Sequence, residues 1–221
     1  MKLLKHEVIM GELECITGCR IGGTESGFEI AGIDNPIITN PLDGLPYIPG
    51  SSLKGKIRSL LELKHDRISE DHRGVGNPCE CGNCFICNLF GCGKAKNTKS
   101  PTRLIFRDSF LIEESINSIG EVLKDYTEVK TEVRIDRKTM TSADPRENFR
   151  VPAGAKFNLE LSLRIFDNDQ QNLKDWMAKL AEGFELLEQD YLGGNGSRGY
   201  GKVRITSNDK PISDYIREMS W

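Results

Sequence analysis

Asp190-Tyr191-Leu192-Gly193-Gly194-Asn195-Gly196-Ser197-Arg198-Gly199-Tyr200-Gly201 carries five glycines and one arginine in twelve residues. Gly194, Gly196 and Gly199 spell G-x-G-x-x-G. A dinucleotide site with that spelling needs a strand before the glycines, a helix after them and a βαβ unit to follow. Here a helical pattern comes first, a strand-like run at 202–206 comes after, and only 20 residues follow Gly201. The stretch is therefore a helix-to-strand loop. A helix cap with a loose turn needs one glycine, not five. Backbone that can approach a ligand closely, with free N–H groups and one guanidinium, suits a phosphate or polyanion.

Upstream of the loop, Leu173, Trp176, Met177, Leu180, Phe184 and Leu187 recur at helical spacing and mark a core stripe. The other face, with Asp175, Glu182, Glu185, Glu188 and Asp190, is acidic and is expected to face away from nucleic acid. Phe157, Leu159, Leu161, Leu163 and Ile165 alternate with polar residues, as in a half-buried strand. Residues 102–112 read as a strand that Asp108 interrupts. Residues 3–17 read as another, with Leu13 and Cys15 set against Glu12 and Glu14. Pro49-Gly50-Ser51-Ser52 opens a helix with Ser51 or Ser52 as N-cap, followed by the stripe Leu53, Ile57, Leu60 and Leu61. The skeleton is β-α-β-β-α-β, the split βαβ pattern of ferredoxin-like and RRM domains, in the α+β class. No aromatic RNA-stacking motif lies on a strand, so binding across the sheet is unsupported. Residues 207–221 are polar and carry no reading.

Three further stretches carry chemistry. Lys54, Lys56 and Arg58 fill the first two turns of the 50s helix, with no acid before Glu62. Cations there oppose the helix dipole, which a bound phosphate would satisfy together with them; the alternative is a solvated face. Residues 18–49 form one long loop, a length that tends to carry function. Residues 126–150 hold six basic and five acidic residues and little to bury, as in an extended arm, a hairpin or a surface loop.

The 221 residues are 38% hydrophobic and 29% charged with a net charge of −3, ordinary for one globular domain. That charge argues against a general nucleic-acid binder and leaves room for a local cationic groove. No run of about 18 apolar residues is present, and the N-terminus is charged too early for a signal peptide. A cytoplasmic protein is expected. Five of the seven cysteines fall between 79 and 92, which points to metal rather than disulfides.

Four motifs in order resemble one family: Thr17-Gly18-Cys19-Arg20-Ile21-Gly22-Gly23; Gly32-Ile33-Asp34-Asn35-Pro36; Ile48-Pro49-Gly50-Ser51-Ser52-Leu53-Lys54-Gly55-Lys56-Ile57-Arg58; and the glycine loop. Together they resemble the RAMP superfamily, and within it the repeated backbone subunits of type III-A CRISPR (Csm) effector complexes. The resemblance runs from residue 8 to about residue 206.

The resemblance implies a modified RRM-like palm, a thumb hairpin at 126–150 and an endoribonuclease acting on target RNA within the complex. Copies would stack head to tail along a guide CRISPR RNA, beside other subunits, through an interface that does not close into a ring. Arg20, Ser51, Ser52, Lys54, Lys56, Arg58, Arg137, Gly194, Gly196, Ser197 and Arg198 would contact RNA, mainly its backbone, while base pairing carries specificity. Thr139 and Met140 at the thumb tip would wedge between bases. Asp34, in the 18–49 region, would be catalytic with a divalent ion, Mg²⁺, the bland alternative being a turn cap before Pro36. The competing functions are a non-cutting RNA scaffold and a guide-processing nuclease, for which His6 is the sole candidate.

Some relatives also carry a zinc-binding insertion where residues 65–101 fall here. Cys79-x-Cys81-x₂-Cys84-x₂-Cys87, with His72 before and Cys92 after, offers six candidates for four positions. A closed four-thiolate Zn²⁺ site would order residues 70–95, with His72 replacing Cys81 if that cysteine points away. Iron–sulfur is the runner-up, disfavoured by the C-x-C spacing.

Overall fold

The computed structural model describes residues 1–22, 37–70, 74, 76–93 and 100–221. In chain order the elements are β1 (Leu3–Cys15), β2 (Tyr47–Ile48), α1 (Gly50–Lys64), β3 (Ser69–Glu70), β4 (Gly76–Asn77) and α2 (Phe85–Phe90). Then come β5 (Leu104–Phe106), β6 (Ser109–Phe110), α3 (Glu113–Gly120), β7 (Glu128–Ile135), β8 (Ser142–Arg150) and β9 (Lys156–Phe166). The chain closes with α4 (Leu173–Gln189), a 3₁₀ turn at Gly196–Arg198, β10 (Val203–Ser207), β11 (Lys210–Pro211) and α5 (Ile212–Glu218).

One sheet of order β11-β10-β1-β9-β5, antiparallel throughout, forms the palm. Without the short β11, the four strands lie in the order fourth, first, third, second of their appearance, the ferredoxin-like arrangement. Alternation along β1 and β9 sends Ile9, Leu13, Leu159, Leu161 and Leu163 into the core. There they meet Leu53, Ile57 and Leu61 of α1 and the Trp176, Met177, Leu180, Phe184 and Leu187 stripe of α4. Each such side chain contributes about 1.5–3 kcal/mol on burial. Among the described residues β7 and β8 pair with each other and with no other strand, from Glu128↔Arg150 to Ile135↔Ser142, as a two-stranded hairpin. No described helix is long and apolar enough to cross a membrane.

Several local expectations are corrected by tertiary contacts. Residues 102–112 are two short strands separated at Arg107 and Asp108. That break has a function, because Asp108 Oδ1 accepts the Gly50 amide at 2.8 Å and places a carboxylate at the start of α1. Neither Ser51 nor Ser52 is the cap: Pro49 holds that position without a side-chain bond. A Cβ on Gly50 would meet the Phe106 carbonyl oxygen at 2.5 Å, so the helix begins pressed against the strand break. Asp108→Ala is expected to cost about 1–2 kcal/mol in denaturant unfolding, with Asp108→Asn losing less.

The acidic side of α4 is mostly tied to neighbouring elements rather than open. Glu182 bonds His65 at 2.9 Å, Glu185 pairs with Arg217 of α5 at 2.5 Å, and Asp190 pairs with Lys56 at 2.8 Å. Glu188 accepts the Ile205 amide of β10, and burial raises its pKa above the usual carboxylate value. The polar tail forms α5 because Ile212 and Ile216, one turn apart, are buried. The cysteine-rich insertion is likewise more than a polar loop. Ile86, Leu89 and Phe90 of α2 enter the core, and Arg103 and Asp169 lock its far end with a buried two-point ion pair.

Candidate nucleic-acid interface and metal centre

The loop after β1 is pinned at both ends. Cys19 and Val151 exchange backbone hydrogen bonds, joining the start of that loop to the foot of the hairpin. Arg20 bridges Gly193 in parallel, and its carbonyl accepts the Gly194 amide at 2.8 Å. Gly22 pairs with Ile37, so the chain leaves and re-enters the described structure beside this point. Asp34 and the second glycine motif lie outside the described residues.

Three glycines of the 190–201 loop are required by packing within the chain, Gly201 (φ +73°) because a Cβ there would overlap the Leu192 carbonyl. Gly193 has φ +81° and lies against the Arg20 carbonyl; Gly196 lies against the Tyr191 ring; a Cβ at either position would overlap its neighbour. Gly194, Ser197 and Arg198 remain exposed on the outer side. Lys56 Nζ, paired with Asp190, also sits 3.8 Å from the centre of the Tyr191 ring, which brings α1 to the loop.

The foot of the hairpin completes the cluster. Arg20 Nη1 donates to Asn148 Oδ1 of β8 at 3.2 Å. Arg198 pairs with Glu132 of β7 at 3.0 Å, and Lys130 donates to the Arg198 carbonyl. The buried Tyr200 ring packs against Lys130 and Arg150. Lys130, Asn148 and Arg150 were missed in the sequence, where alternating charge does not tell which side of a hairpin meets the body. Arg20, Lys56, Gly194, Gly196, Ser197 and Arg198 thus come together from remote parts of the chain.

The remaining expected RNA contacts fall in three places. Arg137, Thr139 and Met140 are exposed at the hairpin tip, Met140 at 74% with φ +58°. That turn is ordered by Asp136, whose carboxylate accepts the Lys138 and Thr139 amides and is held below its ordinary pKa by them. Ser51, Ser52 and Lys54 lie on the first turns of α1, where burial, then the charges of Arg58 and Arg164, lower the Lys54 pKa. Arg58 stands apart: it pairs with Glu62 at 2.8 Å and donates to the Cys79 carbonyl at 2.9 Å. His6 lies nine residues before Cys15 on β1, about 30 Å away along the strand, and bonds Ser162.

Cys79, Cys81, Cys84 and Cys87 converge, all four sulfurs lying within 4.8 Å of one another. Three of the separations are 3.6, 3.7 and 3.9 Å. Tetrahedral coordination with metal–sulfur bonds of about 2.3 Å puts ligand sulfurs about 3.8 Å apart, so the spacing fits one ion. The Gly82 and Cys87 amides point at the Cys87 and Cys84 sulfurs. Burial pushes the Cys79 thiol up to about 11 and Cys87 higher still. Burial would also raise Cys81, but the Asn83 and Cys84 amides and the neighbouring thiols bring it down to about 6. His72 lies outside the described residues; the four cysteines meet without it. Cys92 is not in the group, and Cys15 and Cys19 are buried elsewhere.

An antiparallel ferredoxin-order palm with a hairpin arm rooted at a glycine loop matches a RAMP-type domain. The RAMP superfamily model covers residues 12–204, and the chain belongs to that superfamily. Within it the chain groups with Csm3 proteins. It is 41% identical to the CRISPR system Cms endoribonuclease Csm3 of Methanothermobacter thermautotrophicus, over 99% of this chain and 92% of that one. It is 46% identical to the Methanocaldococcus jannaschii protein of the same name, over 91% and 79% of the two chains. Among solved structures, a chain of a Csm3–Csm4 subcomplex of the type III-A CRISPR-Cas interference complex superposes with a TM-score of 0.59 at 34% identity, covering 93% of this chain and 77% of that one. Methanopyrus kandleri Csm3 superposes with a TM-score of 0.61 at 27% identity, covering 89% and 74%.

Proposed function

We propose that this chain is the guide-RNA-binding backbone subunit of a type III-A CRISPR interference complex and cuts target RNA at regular intervals. The observation that carries the reading is the convergence of Arg20, Lys56 and the 193–198 loop at the foot of the hairpin. The exposed Gly194, Ser197 and Arg198, with Arg20 and Lys56 beside them, suit a phosphate track, which sets register without reading bases. The tip, with Thr139 and Met140, lies past the far end of β7, about 10–17 Å along the strand from the Lys130 and Glu132 contacts, and supplies an apolar wedge for a stacked duplex. Head-to-tail copies, each adding one wedge, would give the regular interval, with other complex subunits at the ends.

Asp34 is the catalytic group in this reading. It is three residues from Ile37, a tether of about 11 Å at full extension. A kinked nucleotide turns its 2′-OH in line with its own phosphate. Asp34 takes the 2′-OH proton, O2′ bonds to phosphorus, and the bond to the 5′ oxygen breaks. The products are a 2′,3′-cyclic phosphate and a 5′-hydroxyl, the latter taking its proton from water. A divalent ion, Mg²⁺ by the preference of carboxylate and phosphate oxygens, would lower the charge on the phosphate. Among the described residues no carboxylate cluster fits such an ion, and the step is written on Asp34 alone. The cysteine centre is structural: thiolates select Zn²⁺, and four of them leave no open position for substrate.

A complex assembled with this chain and a chosen guide should cut complementary RNA into products spaced by a constant interval and leave unrelated RNA whole. Tight binding of the complementary RNA without any cut would support the scaffold function instead.

A further inference from the structure

The backbone N–H and C=O of Cys79, the first cysteine of the metal centre, are both held by α1. The amide donates to Glu62 Oε1 at 2.8 Å, and the carbonyl accepts from Arg58 Nη2 at 2.9 Å. Arg58 Nε donates to the same Glu62 oxygen at 2.8 Å and closes the ring of contacts. Glu62 is 5% exposed, an unusual place for a carboxylate unless its charge is matched.

We propose that Arg58 and Glu62 are positioning residues for the cysteine metal centre, and that the Arg58 guanidinium serves this centre rather than RNA. The inference rests on the reading of the four cysteines as a metal site. Fixing the Cys79 backbone fixes the direction from which its sulfur approaches the ion, so the tetrahedron is partly formed before the ion arrives. Four thiolates around one divalent ion leave the centre doubly negative; the Arg58–Glu62 pair is neutral as a whole and turns its guanidinium, not its carboxylate, to the Cys79 carbonyl beside that charge. Groups that orient metal ligands in this way typically change affinity by about 10- to 100-fold when altered.

The test uses the full chain with Arg58→Lys, Arg58→Ala, Glu62→Gln and Glu62→Ala. Zn²⁺ affinity is read by competition with a chromogenic chelator, and site geometry by the absorption of the Co²⁺-loaded protein. Arg58→Ala and Glu62→Ala should weaken Zn²⁺ by about 10- to 100-fold and alter the tetrahedral Co²⁺ bands. Glu62→Gln, which keeps an acceptor for the Cys79 amide, should lose less, and the two conservative variants decide the matter if the alanine variants fail to fold. Unchanged Zn²⁺ affinity, with melting lowered equally in loaded and stripped protein, overturns the clamp and leaves the metal site standing. Unchanged affinity with weakened RNA binding in Arg58→Ala also overturns it and returns Arg58 to the RNA. An unaltered chain that takes up neither Zn²⁺ nor Co²⁺ removes the metal site itself, and the clamp with it.

Discussion

A complex carrying Asp34→Ala should bind guide and target as the unaltered complex does, yet cut the target about 10²- to 10⁴-fold more slowly, the usual contribution of a positioned general base. Binding should persist because the residues of the proposed track are elsewhere: Arg20 on the loop's first anchored residues, Lys56 on α1, the 193–198 loop after α4. Single-turnover cleavage and filter binding of the same preparations separate the two effects. Asp34→Asn, which keeps the shape but cannot take a proton at neutral pH, should be nearly as slow. Cleavage at the unaltered rate in Asp34→Ala would remove Asp34 from the chemistry and leave the RNA-binding reading intact. Loss of binding together with cleavage would mean that Asp34 is a structural residue of its loop.

Removing the metal should have the other large effect. Structural Zn²⁺ contributes about 10–16 kcal/mol of apparent binding energy in small zinc-folded peptides. In this chain the centre sits against a core that receives Ile86, Leu89 and Phe90 from α2. Loss of the ion should therefore loosen residues 76–93 first, as local opening rather than global unfolding. Amide exchange should show protection falling there, including at Cys79, while β1 and β9 stay protected. Melting should drop by on the order of 5 °C or more, because part of the core beneath α1 is exposed. Cys84→Ser should reproduce the effect without a chelator, since Cys84 both supplies a sulfur and accepts the Cys87 amide at the start of α2. A chelator-treated protein with unchanged exchange and melting would show that the thiols need no ion.

Much of this fold was legible as pattern. The alternation at 157–165, the stripe at 173–187 and the helix-to-strand order around the glycine loop are local repeats, and local repeats are what β and α geometry write into a chain. They yield the β-α-β-β-α-β palm. The close cysteine spacing likewise limits four sulfurs to one small volume. Short or polar elements escaped: α5 offers only Ile212 and Ile216, and α3 is eight residues long.

What only the tertiary structure decided is which partner each charged side chain takes. Asp108 reads as a flaw in a strand until Gly50, 58 residues away, turns its amide toward it. Glu182, Glu185 and Asp190 read as an acidic face turned away from nucleic acid until His65, α5 and Lys56 come to meet them. Arg58 reads as one more cation on a basic helix until the cysteine loop folds back over it. Residue type and spacing determine which face of an element is buried. The destination of a long charged side chain depends instead on whichever distant segment arrives within about 3 Å of it, and no local repeat records that.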